Sequence, residues 1–310
     1  MSKLTNRFNA DEAIVAAVAN DSYDYADAGD VSITGLSVPP QIRILRKRHF
    51  TKLVEDVSDR LASLRGQVAH AIVERSGLKN DWSERRVGMM VNGWKVTGKP
   101  DKLEAIRLAA NTLVDFKFPT MSSFQFGFQR DKGLKEEYKP QGNGYKLLLS
   151  EQGVDVERIT FKPTLLEWSK FHATTKKDYP PSPFFSFDIP IWSLKESLAW
   201  VTDRVKLHQY AETLPDDKLP ECTHEERWQR GDVFAVKKEG LKNAVRGGLK
   251  DSEVEANALV KELGDKHYVE RRPAMAIRCE FYCSVKPFCH QYKKTIPKGV
   301  EISGIHSGGY

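Results

Sequence analysis

A two-residue turn signal constrains the fold of this chain more than any other local feature. Asn92-Gly93 lies between two short apolar segments, Met89–Val91 and Trp94–Val96. Asn-Gly is the strongest short-range signal for a β-hairpin, because both central residues of the tight turn need positive φ angles. The sequence therefore predicts a hairpin over residues 86–97, and with it an antiparallel pair of strands to which later strands can be added.

The segments that follow the hairpin alternate between strand and helix patterns. Residues 101–110 predict a strand and a turn, and Leu113–Phe118 predicts a short buried strand. Predicted helices cover residues 11–20, 42–76, 135–152, 193–212 and 252–263, and further predicted strands cover 156–162 and 184–191. Ser193 and Glu196 have the spacing of a capping box at a helix start. Residues 30–40, which end in a Pro pair, predict a loop. This order favours an α/β fold, with a mixed central sheet flanked by helices.

Composition excludes several classes of protein. The chain has 310 residues, of which 40% are hydrophobic and 29% charged, as in ordinary globular proteins. It has no apolar run long enough to form a transmembrane helix, and its N-terminus lacks the basic-then-apolar order of a signal peptide. We therefore expect no membrane partner and a cytoplasmic location.

Basic residues cluster in one short segment. Arg43, Arg46, Lys47 and Arg48 lie close together, in a chain whose formal net charge is +6. Lysine and arginine neutralise backbone phosphates, so these four residues are candidate DNA contacts. The alternative is that they form a solvated helix face.

Two acids and a lysine form the candidate catalytic group. Asp101 follows Pro100, and Asp115 and Lys117 lie two residues apart at the end of the predicted buried strand. Residues two apart on a strand project to the same face. Two adjacent carboxylates favour a divalent metal such as Mg²⁺ or Mn²⁺, and a nearby lysine can orient a water. The alternative is a chance occurrence, because Asp-x-Lys is common in charged sequences.

The four cysteines suggest a second metal centre. Cys279, Cys283 and Cys289 fall within eleven residues, and Cys222 is distant. A shared metal or cluster is the simplest explanation. The spacing differs from the paired Cys-x2-Cys of most structural zinc sites. The sequence also allows a zinc site in which His224 or His290 replaces Cys222.

Together these motifs resemble the PD-(D/E)XK nuclease superfamily, and within it the RecB-like exonucleases, including the CRISPR-associated ones. The resemblance covers residues 31–292 and has the order hairpin, Gly-x-Pro-Asp101, apolar pair, Asp115-x-Lys117. The family's upstream His matches His70 after Gly66, and its Gln-x3-Tyr matches Gln141 and Tyr145. The family often carries a four-cysteine iron–sulfur cluster. In the relatives considered, the lone cysteine precedes the nuclease motifs, whereas Cys222 follows them.

The resemblance implies roles for these residues. His70, Asp101 and Asp115 would bind Mg²⁺ or Mn²⁺, with the Phe116 carbonyl as a further ligand. Lys117 would position the attacking water, and Gln141 and Tyr145 would hold the DNA strand or the lysine. The four cysteines, Cys222, Cys279, Cys283 and Cys289, would bind a [4Fe–4S] cluster, with Zn²⁺ as the alternative.

The expected function is metal-dependent exonucleolytic hydrolysis of DNA in end resection, recombination or repair, in a phage or bacterial setting. No helicase phosphate-binding motif is present. A recombination protein or further copies of the chain are expected partners besides DNA. The alternatives are a catalytically inactive DNA-binding module and a zinc-bearing structural protein. The expected domains are an N-terminal helical segment (1–30), a nuclease core (31–215), a cysteine-bearing region (216–295) and a mobile tail (296–310).

Overall fold

The computed structural model describes residues 3–20, 29–75, 85–106, 109–127 and 138–295. The chain forms two compact units. Unit 1 contains Met1–Arg43 and Val54–Thr213, and unit 2 contains Ile44–Leu53 and Leu214–Tyr310. The predicted tail at 296–310 and parts of the predicted segments 1–30 and 135–152 lie outside the described residues.

Unit 1 has a mixed α/β composition. Its strands are β1 (Lys3–Thr5), β2 (Val31–Ser32), β3 (Val54–Asp56), β4 (Val87–Val91), β5 (Trp94–Gly98), β6 (Lys102–Ile106), β7 (Ala109–Lys117), β8 (Arg158–Pro163) and β9 (Phe187–Asp188). Its helices are α1 (Glu12–Ala19), α2 (Ile33–Ser37), α3 (Pro40–Arg48, which runs into unit 2), α4 (Leu61–Glu74), α5 (Met121–Gly127), α6 (Tyr138–Ser150), α7 (Lys170–Thr175) and α8 (Leu194–Thr213). The predicted mixed α/β class is confirmed.

The strands of unit 1 are distributed over several small sheets. One has four strands in the order β6-β7-β8-β9, in which β7 and β8 are parallel and the other pairs are antiparallel. A second has the order β2-β5-β4, and β1 pairs with β3 in parallel. Apolar residues of both larger sheets, α2, α6 and α8 form one core cluster.

Local signals in the sequence located several elements correctly. The predicted hairpin is confirmed as β4 and β5, and Asn92 and Gly93 have φ angles of 48° and 81°. The predicted strand and turn at 101–110 correspond to β6 and the start of β7, although residues 107 and 108 lie outside the described part. The capping box at the start of α8 is formed, because Ser193 N–H donates to Glu196 and Glu196 N–H donates to Ser193 Oγ.

The predicted single helix over residues 42–76 is wrong. The chain forms α3, a short 3-10 turn, β3, a second 3-10 turn and then α4. Asp56 breaks the helix: its side chain accepts the N–H of Ser58, while Asp59 caps the Asp56 N–H. Pairing of β3 with β1, near the chain start, supplies the long-range contact that the apolar pattern did not reveal.

Two other predictions also differ from the structure. Residues 30–40, predicted as a loop, form β2, α2 and the first residue of α3. The strand predicted over 184–191 is shorter, with only Phe187–Asp188 in β9 and a single bridge from Phe184 to Thr164.

Unit 2 contains a small module of which the sequence predicted only the helix at 252–263. Its elements are β10 (Gln229–Arg230), β11 (Val233–Lys238), β12 (Ala244–Lys250), α9 (Glu253–Leu263), β13 (His267–Arg272), β14 (Met275–Ala276) and α10 (His290–Lys293). The antiparallel sheet β12-β11-β13 packs against α9. The short pair of β10 and β14 closes the base of this module. The predicted helix at 252–263 is confirmed as α9, with Ser252 as its N-cap.

Among the residues that the structure describes, no helix is both long and apolar enough to cross a lipid bilayer.

Two glycines allow α6 to lie close to its neighbours. A Cβ atom added at Gly142 would lie 2.8 Å from Ile159 Cγ2 on β8, and one added at Gly144 would lie 2.6 Å from Ile33 Cγ2 on α2. Both distances are shorter than real carbon–carbon contacts. Helix α6 therefore reaches a separation from β8 and α2 that alanine would prevent, even though glycine disfavours helix formation.

We predict that Gly144→Ala destabilises the protein by about 1–3 kcal/mol, because overpacking outweighs the gain in helix propensity. Gly66→Ala in α4 is the matched control, since nothing lies within 4 Å of a Cβ added there. That substitution should stabilise the protein by about 0.5–1 kcal/mol. Urea unfolding of both variants measures the difference, and equal effects would contradict this account of α6.

A buried histidine gives unit 1 a dependence on pH. His208 on α8 is fully buried, its Nε2 lies 3.4 Å from the Leu36 carbonyl oxygen, and its Nδ1 has no hydrogen-bond partner among the described residues. The pKa of His208 is lowered to about 4, chiefly by burial and in part by the charges of Arg204 and Arg43. The folded state therefore holds this imidazole neutral.

We predict that acid weakens the fold through His208. Between about pH 6.5 and pH 4 the unfolded chain binds a proton at this residue that the folded chain does not, so the free energy of unfolding falls as pH falls. The loss attributable to His208 should be on the order of 2 kcal/mol between about pH 7 and pH 5. Urea titrations of wild type and His208→Leu at both pH values isolate it. If the free energy of unfolding of His208→Leu depended on pH as that of wild type does, the contribution of His208 would be ruled out.

Candidate active site and cysteine cluster

The end of β7 positions the candidate catalytic pair. Leu113 and Val114 are fully buried, and Asp115 and Lys117 follow with their side chains on one face of the strand. Lys117 Nζ lies 2.7 Å from Asp115 Oδ2. The Asp115 side chain is almost completely buried, whereas that of Lys117 is 24% exposed. The lysine therefore brings its charge to the surface end of a buried ion pair.

Gln141 of α6 bridges the pair. Its Nε2 donates to Asp115 Oδ1 at 2.9 Å, and its Oε1 accepts a hydrogen bond from Lys117 Nζ at 3.1 Å. Tyr145 lies one helical turn further on, and its hydroxyl is 3.5 Å from Gln141 Nε2. Because Gln141 orients both partners, the amide fixes which oxygen of Asp115 is left for another ligand.

Asp101 joins the network from the residue before β6. Its Oδ2 accepts the Phe116 N–H at 2.8 Å, so its carboxylate lies beside the peptide that follows Asp115. Phe116 itself alternates to the opposite face of β7. The structure thus brings Asp101, Asp115, Lys117, Gln141 and Tyr145 into one hydrogen-bonded network at the end of β7.

His70 reaches the same strand end by a different contact. It lies on α4, half-buried, and its ring meets the Phe118 ring edge-on at a centroid distance of 5.5 Å. Phe118 directly follows Lys117. His70 is therefore next to the site, although within the described residues no three His, Cys, Asp or Glu side chains lie together closely enough to hold a metal ion.

One buried atom suits a hard cation. Asp115 Oδ2 is buried and has no hydrogen-bond donor in the described structure, because the approach of Lys117 is an ion pair without hydrogen-bond geometry. Carboxylate oxygens are the ligands that Mg²⁺ and Mn²⁺ prefer. Asp115 Oδ2 is therefore of the ligand type that such an ion prefers, and in the described structure it is ion-paired with Lys117.

Other residues that support the site were missed in the sequence. The rings of Phe161 and Tyr138 lie 5.0 Å and 5.5 Å from Lys117 Nζ. Asn143, fully buried on α6, donates to the Pro190 carbonyl and accepts the Trp192 N–H. The only signal for Asn143 was a polar residue between two glycines of a helix; the aromatic neighbours of Lys117 come from distant parts of the chain and left no local signal.

The four residues of the predicted basic cluster are divided between the two units. Arg43 belongs to unit 1, where it pairs with Glu212 at 3.0 Å and stacks on Trp94. Arg46, Lys47 and Arg48 belong to unit 2 and are exposed. Arg46 donates to Ser284 Oγ, and Arg48 pairs with Asp216 at 2.8 Å. DNA contacts by these residues stay a prediction, and the arginines among them also have contacts within the fold.

In unit 2, the distant cysteine comes next to the other three. Gln291 on α10 accepts the Cys222 N–H and donates to the Cys222 carbonyl, both at 2.9 Å. Cys289 caps the same helix, because its Sγ accepts the Tyr292 N–H at 3.3 Å. Cys222 and Cys289 are both buried, and no disulfide joins the four cysteines in the described structure. The pair of β10 and β14 allows this meeting, because it closes the intervening module.

The thiols influence one another. The pKa of Cys222 is raised to about 12, chiefly by burial, and the charges of Glu226, Cys289, Cys283 and Cys279 contribute to the shift. Burial raises the pKa of Cys279 to about 11, with added contributions from Cys283 and Cys289. These mutual effects mean that the four sulfur atoms share one region. They do not form a closed metal site in the described structure, but their identity and number fit a thiolate-bound cluster.

Comparisons with known proteins add little. No family model matches the chain, and no curated protein matches it. A solved structure entitled "Crystal structure of SSO0001" is similar over 63% of this chain and 82% of its own, with 15% sequence identity and a TM-score of 0.39. A likeness of this size supports no statement about fold or activity.

Proposed function

We propose that the protein is a metal-dependent deoxyribonuclease of the PD-(D/E)XK superfamily, from its RecB-like exonuclease branch. The observation that carries the proposal is the bridged pair, in which Gln141 bonds both Asp115 and Lys117 at the end of a buried strand. Each sequence motif is weak evidence by itself, but their residues lie together in one hydrogen-bonded network. A chance Asp-x-Lys would not place a helix amide between its two members.

The surrounding architecture supports the same proposal. The strand that carries Asp115 and Lys117 pairs in an antiparallel manner with β6, which follows Asp101, and in parallel with β8. The next helix, α6, supplies Gln141 and Tyr145. This order of acid, hairpin strand, Asp-x-Lys strand and helix is the one expected for the nuclease core.

The chain's residues divide the work as follows. Asp115 Oδ2 and Asp101, with His70 and the Phe116 carbonyl, would hold the ion. A bound Mg²⁺ or Mn²⁺ would supply positive charge next to the scissile phosphate and lower the pKa of a coordinated water. Gln141 fixes Asp115 Oδ1, and Lys117 Nζ, held between Asp115 and Gln141, orients the attacking water and stabilises developing negative charge. Tyr145 supports Gln141 from one turn away.

The wider role belongs to the same proposal. Hydrolysis of phosphodiester bonds from DNA ends, in resection, recombination or repair, would use DNA as substrate and a recombination protein or further copies of the chain as partner. A cytoplasmic location fits this role. A [4Fe–4S] cluster on the four cysteines would be structural, with Zn²⁺ as the rival occupant.

One observation favours an inactive DNA-binding module as the second candidate. His70, Asp101 and Asp115 are not gathered at metal-binding distances among the described residues. An active site must bring them together when the ion binds, whereas a binding module need not. Cleavage assays separate the two.

We predict that Lys117→Ala lowers the rate of Mn²⁺- or Mg²⁺-dependent cleavage of end-labelled linear DNA by about 10²–10³-fold, because the group that orients water is lost. Lys162→Ala is the matched control. Lys162 lies opposite Phe116 on the neighbouring strand, and it pairs with Glu104 at 3.3 Å. Loss of the Lys162 side chain should leave the cleavage rate within about threefold of the wild-type rate.

Both variants must first match wild type in circular dichroism and melting temperature. Wild type that binds DNA and cuts none with either metal would establish the inactive module. Equal loss of cleavage in the two lysine variants would show that Lys117 has no special role.

We predict that protein purified without oxygen is brown and absorbs near about 400 nm, as thiolate-bound iron–sulfur clusters do. Cys289→Ser should lose the colour and the iron together, because one thiolate ligand is missing. Metal analysis of the same samples checks this. Colourless wild type with one zinc and no iron would assign the site to zinc instead.

A further inference from the structure

Residues 164–186, here called the aromatic loop, begin directly beside the candidate active site. The Thr164 N–H donates to the Lys117 carbonyl at 2.8 Å. The two ends of the loop are tied together, because the Leu165 N–H donates to the Pro183 carbonyl and the Phe185 N–H to the Pro163 carbonyl. The loop is therefore anchored at the end of β7.

The loop has its own packed interior. Leu165 is buried against Phe124 of α5, which also contacts Phe185 at a centroid distance of 4.5 Å. Trp168 Nε1 donates to the Pro180 carbonyl at 2.8 Å, and the Ser169 N–H donates to the Tyr179 hydroxyl at 3.0 Å. These contacts give the loop a defined surface.

Two large aromatic rings lie on that surface. Phe171 and Phe184 are each 70% exposed, although phenylalanine is ordinarily buried. The packed interior of the loop uses Trp168, Tyr179 and Phe185 but leaves these two rings in solvent. Burial of two such rings would be favourable, so their exposure points to a ligand that covers them.

The charges around the rings indicate the ligand. Lys170, Lys176 and Lys177 are exposed on the same loop. Of its two acids, Glu167 is neutralised by Arg65 at 2.6 Å, which leaves Asp178 against three lysines. A protein ligand would match an apolar surface, whereas exposed rings and exposed cations on one loop match stacked bases joined by phosphates.

We propose that the aromatic loop is a base-stacking site for unpaired nucleotides of the DNA that enters the active site. Phe171 and Phe184 would stack on bases, and Lys176 and Lys177 would neutralise phosphates. In a duplex the bases stack on one another and offer no free faces along its length, so the site would select a single-stranded or frayed end. This inference rests on the proposed nuclease function for its choice of DNA.

The test is binding of fluorescent DNA in EDTA, so that no cleavage takes place. Phe171→Ala and Phe184→Ala should each weaken binding of an oligo-dT by about tenfold, since loss of one stacked base costs that much or more. Tyr210→Ala is the matched control: Tyr210 is an aromatic residue of α8 in the same unit and is 60% exposed. Its loss should change the affinity by less than about twofold.

A second ligand separates stacking from a general loss of structure. An abasic oligonucleotide keeps the phosphates and lacks the bases, so the Phe variants should bind it as wild type does. They should also bind a blunt duplex unchanged. Equal losses on dT, abasic and duplex DNA, or no loss on any of them, would overturn the proposal; the second result would leave the loop to a protein partner.

The lysines have a different signature. Lys176→Ala/Lys177→Ala should reduce the slope of log affinity against log salt by about 1.4 on both dT and abasic DNA, because two phosphate contacts are lost. Lys195→Ala/Lys206→Ala, two exposed lysines of α8, should leave the slope unchanged. An unchanged slope in the first double variant would also overturn the proposal.

Cleavage is measured separately with Mn²⁺. If wild type prefers dT to abasic DNA in EDTA but cuts neither with Mn²⁺, the result would support the stacking site and reject the nuclease proposal. Wild type that cuts DNA while the Phe variants bind all three ligands normally would retain the nuclease and reject the stacking site.

Discussion

The burial of Asp115 beside Lys117 is the interaction on which the rest of the site depends. Removal of a carboxylate and an ammonium from water costs several kcal/mol for each ion, and their attraction seldom exceeds that cost. Here the carboxylate is 2% exposed and one of its oxygens has no hydrogen-bond donor in the described structure. Apolar residues at these positions would serve stability as well or better. Stability alone therefore does not explain a buried ion pair at this strand end.

The position of α6 determines whether that pair is held. Gln141 can bond both charged groups only because its helix lies close to β8 and α2, and Gly142 and Gly144 permit that approach. Each glycine disfavours the helix by about 1 kcal/mol. Two further polar residues of α6 hold it from the other side: Asn143 bonds the Pro190 carbonyl, and Lys146 bonds the Trp192 carbonyl at 2.8 Å. The helix is thus specified by close packing and buried hydrogen bonds more than by propensity.

The elements that could be predicted from sequence have local causes. Asn92-Gly93 fixes a hairpin through two φ angles, Ser193 and Glu196 cap a helix within one turn, and residues two apart on a strand share a face. The strand pattern joins Asp115 to Lys117, whereas the meeting of Gln141 and Tyr145 with them was anticipated only through the family resemblance, because no local rule joins the helix to the strand.

The sequence predictions that were wrong failed because of contacts between distant parts of the chain. The apolar pattern over 42–76 runs through a strand that pairs with residues near the chain start, and periodicity cannot detect such pairing. In α4 the same pattern predicts a buried face, yet Leu61, Val68 and Ile72 are exposed. The basic cluster gave no sign that Arg43 pairs internally with Glu212. Likewise, nothing in the spacing of the cysteines showed that a folded module separates Cys222 from the other three.

That module bears directly on whether four such cysteines can act together. The entropy lost in closing a loop rises with its length, and a flexible segment as long as the one after Cys222 would oppose the meeting. The segment is instead folded, with β11, β12 and β13 packed on α9, and the pair of β10 and β14 fixes its two ends together. The effective loop is then short. Gln291 adds two hydrogen bonds that hold the Cys222 backbone beside α10 without any metal. The folded module and these hydrogen bonds would lower the ordering cost of binding for the proposed cluster, so that more of its binding free energy would stabilise unit 2.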